Sequence, residues 1–454
     1  GLFDFNKDKL SHKLEVDNKV IKSIISELYY PECPYEFAVL PVEILGTAYE
    51  QFLGKQIKVD AAHRAKIEEK PAVRKAGGVY YTPQYIVDYI VENTVGKLIK
   101  DKTPKEISKI KIADPACGSG SFLIGAYQHL LDFHKNYYTD NGKISKGNKG
   151  NPLTPDGNLT TAEKKRILLN NIYGVDIDVN AVEVTKLSLL LKCMEGETEA
   201  SIATQMKLFH DRVLPTLDNN IKSGNSLIDT DYYNNEFDFG DDKKIKPFNW
   251  KKAFPEVYNG GNGFDVVIGN PPWVSLNGKF GNDILNPQAQ QYLISKYHGN
   301  TYRPNLYEYF VHKGLELINE DGYFSFIVPD RLGFNEQFLF LRNKILSKYK
   351  VEELIYKAPF PGIVTDTLIF RFTNKKKSES NYKISVSEYG KPFQIKTAKE
   401  YLADNEKKFS YESNDVASKL LSKLFATQKA KPLGEIIQSK TGVILDTKQV
   451  TTLS

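Results

Sequence analysis

Phe264-Asp265-Val266-Val267-Ile268-Gly269-Asn270-Pro271-Pro272-Trp273 reads as a buried strand that stops at a glycine and opens into a polar, rigid and aromatic cluster. A strand covered on both faces is a near-continuous apolar run, and in open α/β sheets ligands lie beyond the carboxyl ends of such strands. The two prolines stiffen the backbone and remove two N–H donors, leaving the carbonyls of Asn270 and Pro271 as acceptors. The amide oxygen of Asn270 is a further acceptor, and Trp273 adds a broad aromatic face. Acceptors beside a stacking surface suit a planar ring that carries an exocyclic amino group. The plain alternative for the same residues is a stiff turn after a core strand.

Upstream, Lys109–Ala113 predicts a short strand, and Asp114-Pro115-Ala116-Cys117-Gly118-Ser119-Gly120-Ser121-Phe122 follows it. A strand, a glycine-containing loop and an apolar helix (Phe122, Leu123, Ala126, Leu130) start a Rossmann-like unit. This loop opens with an acid and has only two glycines, so it suits a cationic ligand group better than a pyrophosphate. Asn171–Asp178 is the second strand. A carboxylate at its end can accept both hydroxyls of a ribose; Asp176 and Asp178 both stand there, and Asp178 can instead cap the next helix. Before the loop, Gly77-Gly78-Val79-Tyr80-Tyr81-Thr82-Pro83-Gln84 predicts a helix start, capped at Thr82-Pro83 and carrying Ile86, Val87, Ile90 and Val91 inward.

The Asn-Pro-Pro-Trp run resembles the catalytic tetrapeptide of amino-methyltransferases, those acting on adenine N6 in DNA above all, although related tetrapeptides serve RNA and protein-glutamine methylation. The Asp114–Phe122 loop is similar to the S-adenosylmethionine motif of methyltransferases. With these in order, about Leu40 to Asn374 resembles the gamma class of adenine methyltransferases, in the form of the modification portion of type IIG restriction–modification enzymes or related phage-defence methylases. The resemblance implies S-adenosylmethionine as cofactor and duplex DNA as partner. It places Tyr81, Thr82 and Pro83 at the methionine end of the cofactor, and Asp114, Pro115, Ala116, Cys117, Gly118, Gly120 and Phe122 around it. Asp176 and Ile177 then meet the ribose side, and Asn225 and Ser226 of Ser223-Gly224-Asn225-Ser226-Leu227 the cofactor's adenine. Many relatives have Asp where this chain has Asn225, so that contact is uncharged. Asn270, Pro271, Pro272 and Trp273 become catalytic, with Asn270 also beside the cofactor. Phe360, in the turn Phe360-Pro361-Gly362, stacks on a flipped base opposite Trp273; core packing is the rival role for Phe360. Trp273 itself stands where Tyr or Phe is commoner.

At 454 residues the chain has room for two or three domains, and 41% hydrophobic with 26% charged residues describes a protein with a sizeable core. A net charge of +5 is too mild to indicate nucleic acid by itself. Cys33, Cys117 and Cys193 fit neither a metal spacing nor a disulfide framework, which favours a reducing, cytoplasmic setting. No signal peptide or membrane-length apolar run is present.

The organisation expected is an α/β, doubly wound Rossmann-like methyltransferase domain at 76–374. An N-terminal helical connector occupies 1–75, and a linker with the start of a truncated target-recognition domain occupies 375–454. Helical periods run through Lys7–Gln56, with breaks at Pro31 and Pro34. Asn136–Lys165 reads as a polar surface excursion, Asn305–Asn319 and Gln337–Tyr349 as helices, and Gly322–Pro329 as a buried strand. Val351–Tyr356 and Asp366–Phe372 read as an edge pair. Lys375-Lys376-Lys377 marks the linker, as a solvated loop or a phosphate contact. No Asp…Glu-x-Lys nuclease cluster precedes the methylase, so cleavage is not expected of this chain, and missing nuclease or recognition segments of the same polypeptide are expected to complete it. The rival functions are methylation of RNA or protein glutamine, and a non-catalytic DNA-binding subunit.

Overall fold

A computed structural model of the chain describes residues 82–141, 151–197, 215–235, 245–277, 285–299, 304–374 and 381–411, with 17–29, 31–33, 55–59, 65–69 and four single positions between 42 and 48. The chain divides into two compact units, 1–409 and 410–454, the second almost wholly outside the described residues.

The first unit is organised on a nine-stranded sheet. Its strands are β3 (Ile112–Asp114), β4 (Ile172–Asp176), β5 (Ile221–Ser223), β6 (Phe264–Gly269), β7 (Ile318–Pro329), β8 (Lys350–Tyr356), β9 (Thr367–Thr373), β10 (Lys383–Glu388) and β11 (Gln394–Thr397), in the order β11-β10-β8-β9-β7-β6-β3-β4-β5. The run β7-β6-β3-β4-β5 is parallel throughout. The chain goes outward from β3 to β5 and then returns to the other side of β3 as β6. Strand order therefore reverses between β3 and β6, where an α/β sheet opens a crevice at its carboxyl ends.

Alternation along the strands feeds two faces. Val266, Ile268, Ile327, Ile355 and Ile369 join a core with the helices α2 (Gln84–Val91), α3 (Ser121–Asp140), α4 (Thr161–Asn171) and α5 (Val179–Met194). Gly125 lets α2 and α3 approach closely, since a Cβ there would lie 2.6 Å from Val87 Cγ1. Phe324, Phe326, Phe370 and Phe372 form the aromatic second face, and helix α7 (Leu306–Leu317) lies on Phe324 through Gly314. Among the described residues no helix is long and apolar enough to cross a membrane.

Several expectations change. The expected edge pair β8/β9 is interior: β9 pairs antiparallel with both β7 and β8, and every residue of Thr367–Thr373 is buried. Arg371 is tolerated there because Glu352 and Glu353 lie 3.2 and 3.4 Å from its guanidinium. The boundary at 374 also moves. β10 pairs parallel with β8 and buries Ile384 and Val386, so the sheet runs on past the Lys-rich stretch, which itself lies outside the described residues. The buried Arg342 of α8 (Leu339–Lys348) donates to the carbonyls of Glu406 and Lys407, 2.8 and 3.0 Å away, and ties the tail to the unit as far as Phe409. Little of the target-recognition segment expected within 375–454 is therefore left before 410.

In the amino-terminal region α1 (Asn18–Glu27) is helical, with the side chain of Asp17 capping it. Residues 55–69, expected within a helical connector, instead hold an antiparallel pair, β1 (Lys55–Val59) with β2 (Ala65–Glu69), Ile57 opposite Ile67. Both segments alternate with period two, the strand signature that the helical reading missed. The surface excursion shrinks as well: α3 runs to Asp140, α4 begins at Thr161, and Leu153 and Leu159 are buried between them.

Candidate active site

The loop after β3 carries the first acid. Asp114 is 2% exposed and accepts from Ala116 N–H at 2.9 Å. Burial pushes its carboxyl up to about 8, against the pull of the Ala116 N–H and helped by the neighbouring Asp176 carboxylate. A carboxyl so placed ionises readily only when a cation arrives to replace lost water. Gly118 adopts φ +53°, and nothing lies within 4 Å of the place where its Cβ would be. The backbone there faces open space that a ligand can fill. Gly120, at φ +92°, begins α3; a Cβ on it would press on the Thr185 side chain at 2.9 Å.

At the end of β4, Asp176 accepts from Gly118 N–H and Asp178 N–H, both at 2.9 Å. Each oxygen keeps a lone pair for a hydroxyl, and burial pushes its pKa up too. Asp178 caps α5 through Asn180 N–H, the role held open for it. Ile177 is 45% exposed, an apolar surface beside Asp176. The donor set matches a ligand with a cationic end at Asp114 and a diol at Asp176, so the residues present fit S-adenosylmethionine.

Some expected cofactor residues have other work. Phe122 is 3% exposed and belongs to the core beneath α3. Cys117 is buried, with its N–H on Val175 O at 3.1 Å. Ser226 donates to Pro115 O at 2.5 Å, which ties the loop after β5 to the loop after β3. Asn225 is buried, and its side-chain oxygen already accepts from Leu227 N–H at 3.1 Å, leaving it one lone pair for an adenine. Tyr81 lies outside the described residues.

The loop after β6 carries the tetrapeptide, directly against the loop after β3. A Cβ on Gly269 would sit 2.7 Å from Asp114 Oδ1, so only glycine lets the two strand ends meet. Asn270 donates from Nδ2 to Thr82 Oγ1 at 3.1 Å, while its Oδ1 is buried and has no partner. An amide oxygen left so costs about 1–3 kcal/mol. Among the described residues no backbone N–H donates to the carbonyls of Asn270 or Pro271 either. Thr82, expected as a helix cap, does not cap: Pro83 is the N-cap residue and no side chain bonds there. Downstream, Leu306 N–H donates to Val274 O at 2.8 Å and fastens the segment after Trp273 to the start of α7.

Trp273 and Phe360 are brought together, as the resemblance implied, but their rings touch: the centroids are 5.5 Å apart at an interplanar angle of 58°. A base between two parallel rings needs about 7 Å, two contact distances. Phe360 is 8% exposed and packs in the core, so in this form it has the rival role. Sequence reasoning missed Tyr85, whose hydroxyl donates to Pro359 O beside Phe360. A partner 274 positions away leaves no local signal.

Residues 170–360 match the family model of the Eco57I restriction-modification methylase, a span from α4 through Asp176 and the tetrapeptide to Phe360. RM.Eco57I of Escherichia coli, a type II restriction enzyme and methyltransferase, is 35% identical over 350 residues, 76% of this chain and 33% of that protein. PglX of Streptomyces coelicolor, an adenine-specific methyltransferase, is 25% identical over 212 residues, 46% of this chain and 16% of that protein. The cryo-EM structure of a DrdV–DNA complex superposes with a TM-score of 0.50 at 16% identity, over 84% of this chain and 33% of that one, a likeness of fold alone. The chain thus covers 33%, 16% and 33% of the length of these three proteins. With the crevice at β3/β6, the two buried acids and the tetrapeptide in place, residues 170–360 match an Eco57I restriction-modification methylase domain.

Proposed function

We propose that the chain transfers the methyl group of S-adenosylmethionine to the N6 amino group of adenine in duplex DNA, as part of a restriction–modification or phage-defence system. The observation that carries this reading is the Asn270 amide, pinned at its nitrogen and unpartnered at its buried oxygen. The relatives described as adenine-specific methyltransferases support the choice of base.

An adenine amino nitrogen is a poor nucleophile because its lone pair is delocalised into the ring. Asn270 Oδ1 and the Pro271 carbonyl accept its two hydrogens and favour a tetrahedral nitrogen with a localised lone pair. Asp114, Gly118 and Asp176 would hold S-adenosylmethionine, which supplies an electrophilic methyl on a sulfonium centre. The methylated amine would shed its extra proton to solvent, so no side-chain base is required of this chain. Positioning of this kind can lower a barrier by roughly 7–11 kcal/mol. The base reaches Asn270 only by leaving the stack, which costs a few kcal/mol, and stacking on Trp273 returns about 1–3 kcal/mol. Because Trp273 and Phe360 touch, one ring has to swing before a base lies between them.

The test is to incubate the full chain with tritiated S-adenosylmethionine and duplex DNA, then digest the DNA to nucleosides. Label in N6-methyldeoxyadenosine is the expected result. Label confined to RNA or to a glutamine peptide in parallel reactions would replace the substrate, and no transfer to any of them would leave a non-catalytic subunit.

A further inference from the structure

Thr82 belongs to the stretch that resembles a motif for the methionine end of the cofactor, yet its hydroxyl and that of the nearby Tyr85 bond elsewhere. Thr82 Oγ1 accepts from Asn270 Nδ2 at 3.1 Å, across 188 positions of sequence. Tyr85, one turn on, donates its hydroxyl to Pro359 O, the residue before Phe360. We propose that the entry to α2, Thr82 before its cap and Tyr85 in its first turn, positions both walls of the base site. Thr82 sets the Asn270 amide with its oxygen toward the amine to be methylated, and Tyr85 holds the loop that presents Phe360 to Trp273. The inference rests on the methyltransferase reading and adds to it two positioning residues that touch neither methyl donor nor base.

The physical need is clear for Asn270. The two ends of a carboxamide have nearly the same size and shape, so packing alone scarcely distinguishes them. Rotated by half a turn, the amide would aim two N–H donors at an amino group that also donates. A hydroxyl can serve either end of an amide; here Thr82 Oγ1 accepts from Nδ2, which fixes the plane of the amide and leaves Oδ1 to the amine. At 5% exposure the Thr82 hydroxyl is shielded from competing water. The second wall follows similar logic. The turn at Pro361-Gly362 is exposed, with Gly362 at φ +80°, and the loop base is closed by Lys357 N–H on Thr367 O at 2.8 Å and Thr367 Oγ1 on Ala358 O at 2.9 Å. Those bonds fix the strand ends, and the Tyr85 hydroxyl adds a hold at Pro359, where the chain turns toward Trp273.

The test uses the full chain with tritiated methyl transfer for kcat and KM and calorimetry for S-adenosylmethionine. Thr82→Val should lower kcat by between about 10- and 100-fold, the scale of a misplaced reacting group, with cofactor Kd within about twofold. Thr82→Ser, which keeps the hydroxyl, should recover most of the loss. Tyr85→Phe should raise the KM for DNA several-fold at unchanged cofactor Kd. Thermal melts accompany each variant, and Thr82→Ala repeats the measurement if Thr82→Val melts early. Cofactor affinity falling in step with kcat would return Thr82 to the methionine end and overturn the proposal. Wild-type kcat in Thr82→Val, or a Ser variant no better than Val, would overturn it too, and unchanged KM in Tyr85→Phe would remove the second wall. An inert wild type sinks the functional reading and this inference together, whereas an active wild type with indifferent variants sinks this inference alone.

Discussion

Asp114 and Asn270 end two neighbouring parallel strands, β3 and β6, close enough that only a glycine fits beside the carboxylate. They are near-isosteres in opposite electrostatic settings. Asp114 is a buried acid pushed up to about 8, with no cationic partner among the described residues. Asn270 is neutral, tethered at one end by Thr82 and open at the other. A charge suits the ligand that brings a charge, and a neutral acceptor suits an amine whose hydrogens need only be pulled. A second carboxylate at 270 would stand near Asp114 and make ionisation of the pair harder. The division of labour across one crevice is thus an electrostatic one.

The largest expected effect breaks the β6 side. Asn270→Ala should lower the rate of methyl transfer by about 10²–10³-fold, the range for loss of one preorganised electrostatic contact, with cofactor Kd unchanged because the contact strengthens in the transition state. Substantial transfer by this variant would reduce the tetrapeptide to a turn. On the β3 side, Asp114→Asn should weaken S-adenosylmethionine binding by about 10- to 150-fold, the equivalent of a charge-assisted hydrogen bond of 1.5–3 kcal/mol. Binding to the wild type should also release a proton, so affinity climbs by up to about tenfold per pH unit toward pH 8, and isothermal titration in buffers of different ionisation enthalpy reads it directly. A flat pH profile would mean that Asp114 is not the cation's partner.

Trp273→Ala should lower DNA affinity and rate together by about 5- to 150-fold, since stacking of roughly 1–3 kcal/mol acts before and during reaction, and a fluorescent base analogue at the target adenine measures it. A loss confined to kcat would set Trp273 beside Asn270 in role. The smallest effect is on stability. The folded Asp114 binds its proton far more tightly than the unfolded one, so its stabilising contribution is full below about pH 4 and is lost as pH rises through about 8. Unliganded Asp114→Asn should therefore melt like the wild type near pH 4 and several degrees higher, about 5 °C, at pH 8. Saturating cofactor should erase that advantage.

The parallel half of the sheet was legible because its signals are local. An apolar run ending at Gly269, a small-residue loop after Ala113 and an acid at 176 each announce a strand end within ten residues. The other half was misread for an equally physical reason. Thr367–Thr373 includes Arg371, whose partners Glu352, Glu353 and the Asn93 carbonyl are brought around it only by the fold. The Lys-rich stretch at 375–377 likewise read as a domain boundary, although the apolar positions Ile384 and Val386 beyond it return the chain to the same sheet.

Composition and local pattern determined the class of fold, the order of the motifs and the choice of Asn270 as the candidate acceptor, because strand ends, glycine loops and proline-stiffened acceptors depend on residues within a few bonds of each other. Tertiary structure alone decided which way the Asn270 amide points, that Asp114 is buried enough to hold its proton, that Ser226 and Phe122 are structural, and that Trp273 meets Phe360 ring to ring. Each of these depends on atoms brought together across tens to hundreds of residues. Burial and hydrogen-bond partnership are properties of that assembled neighbourhood and not of any residue in it.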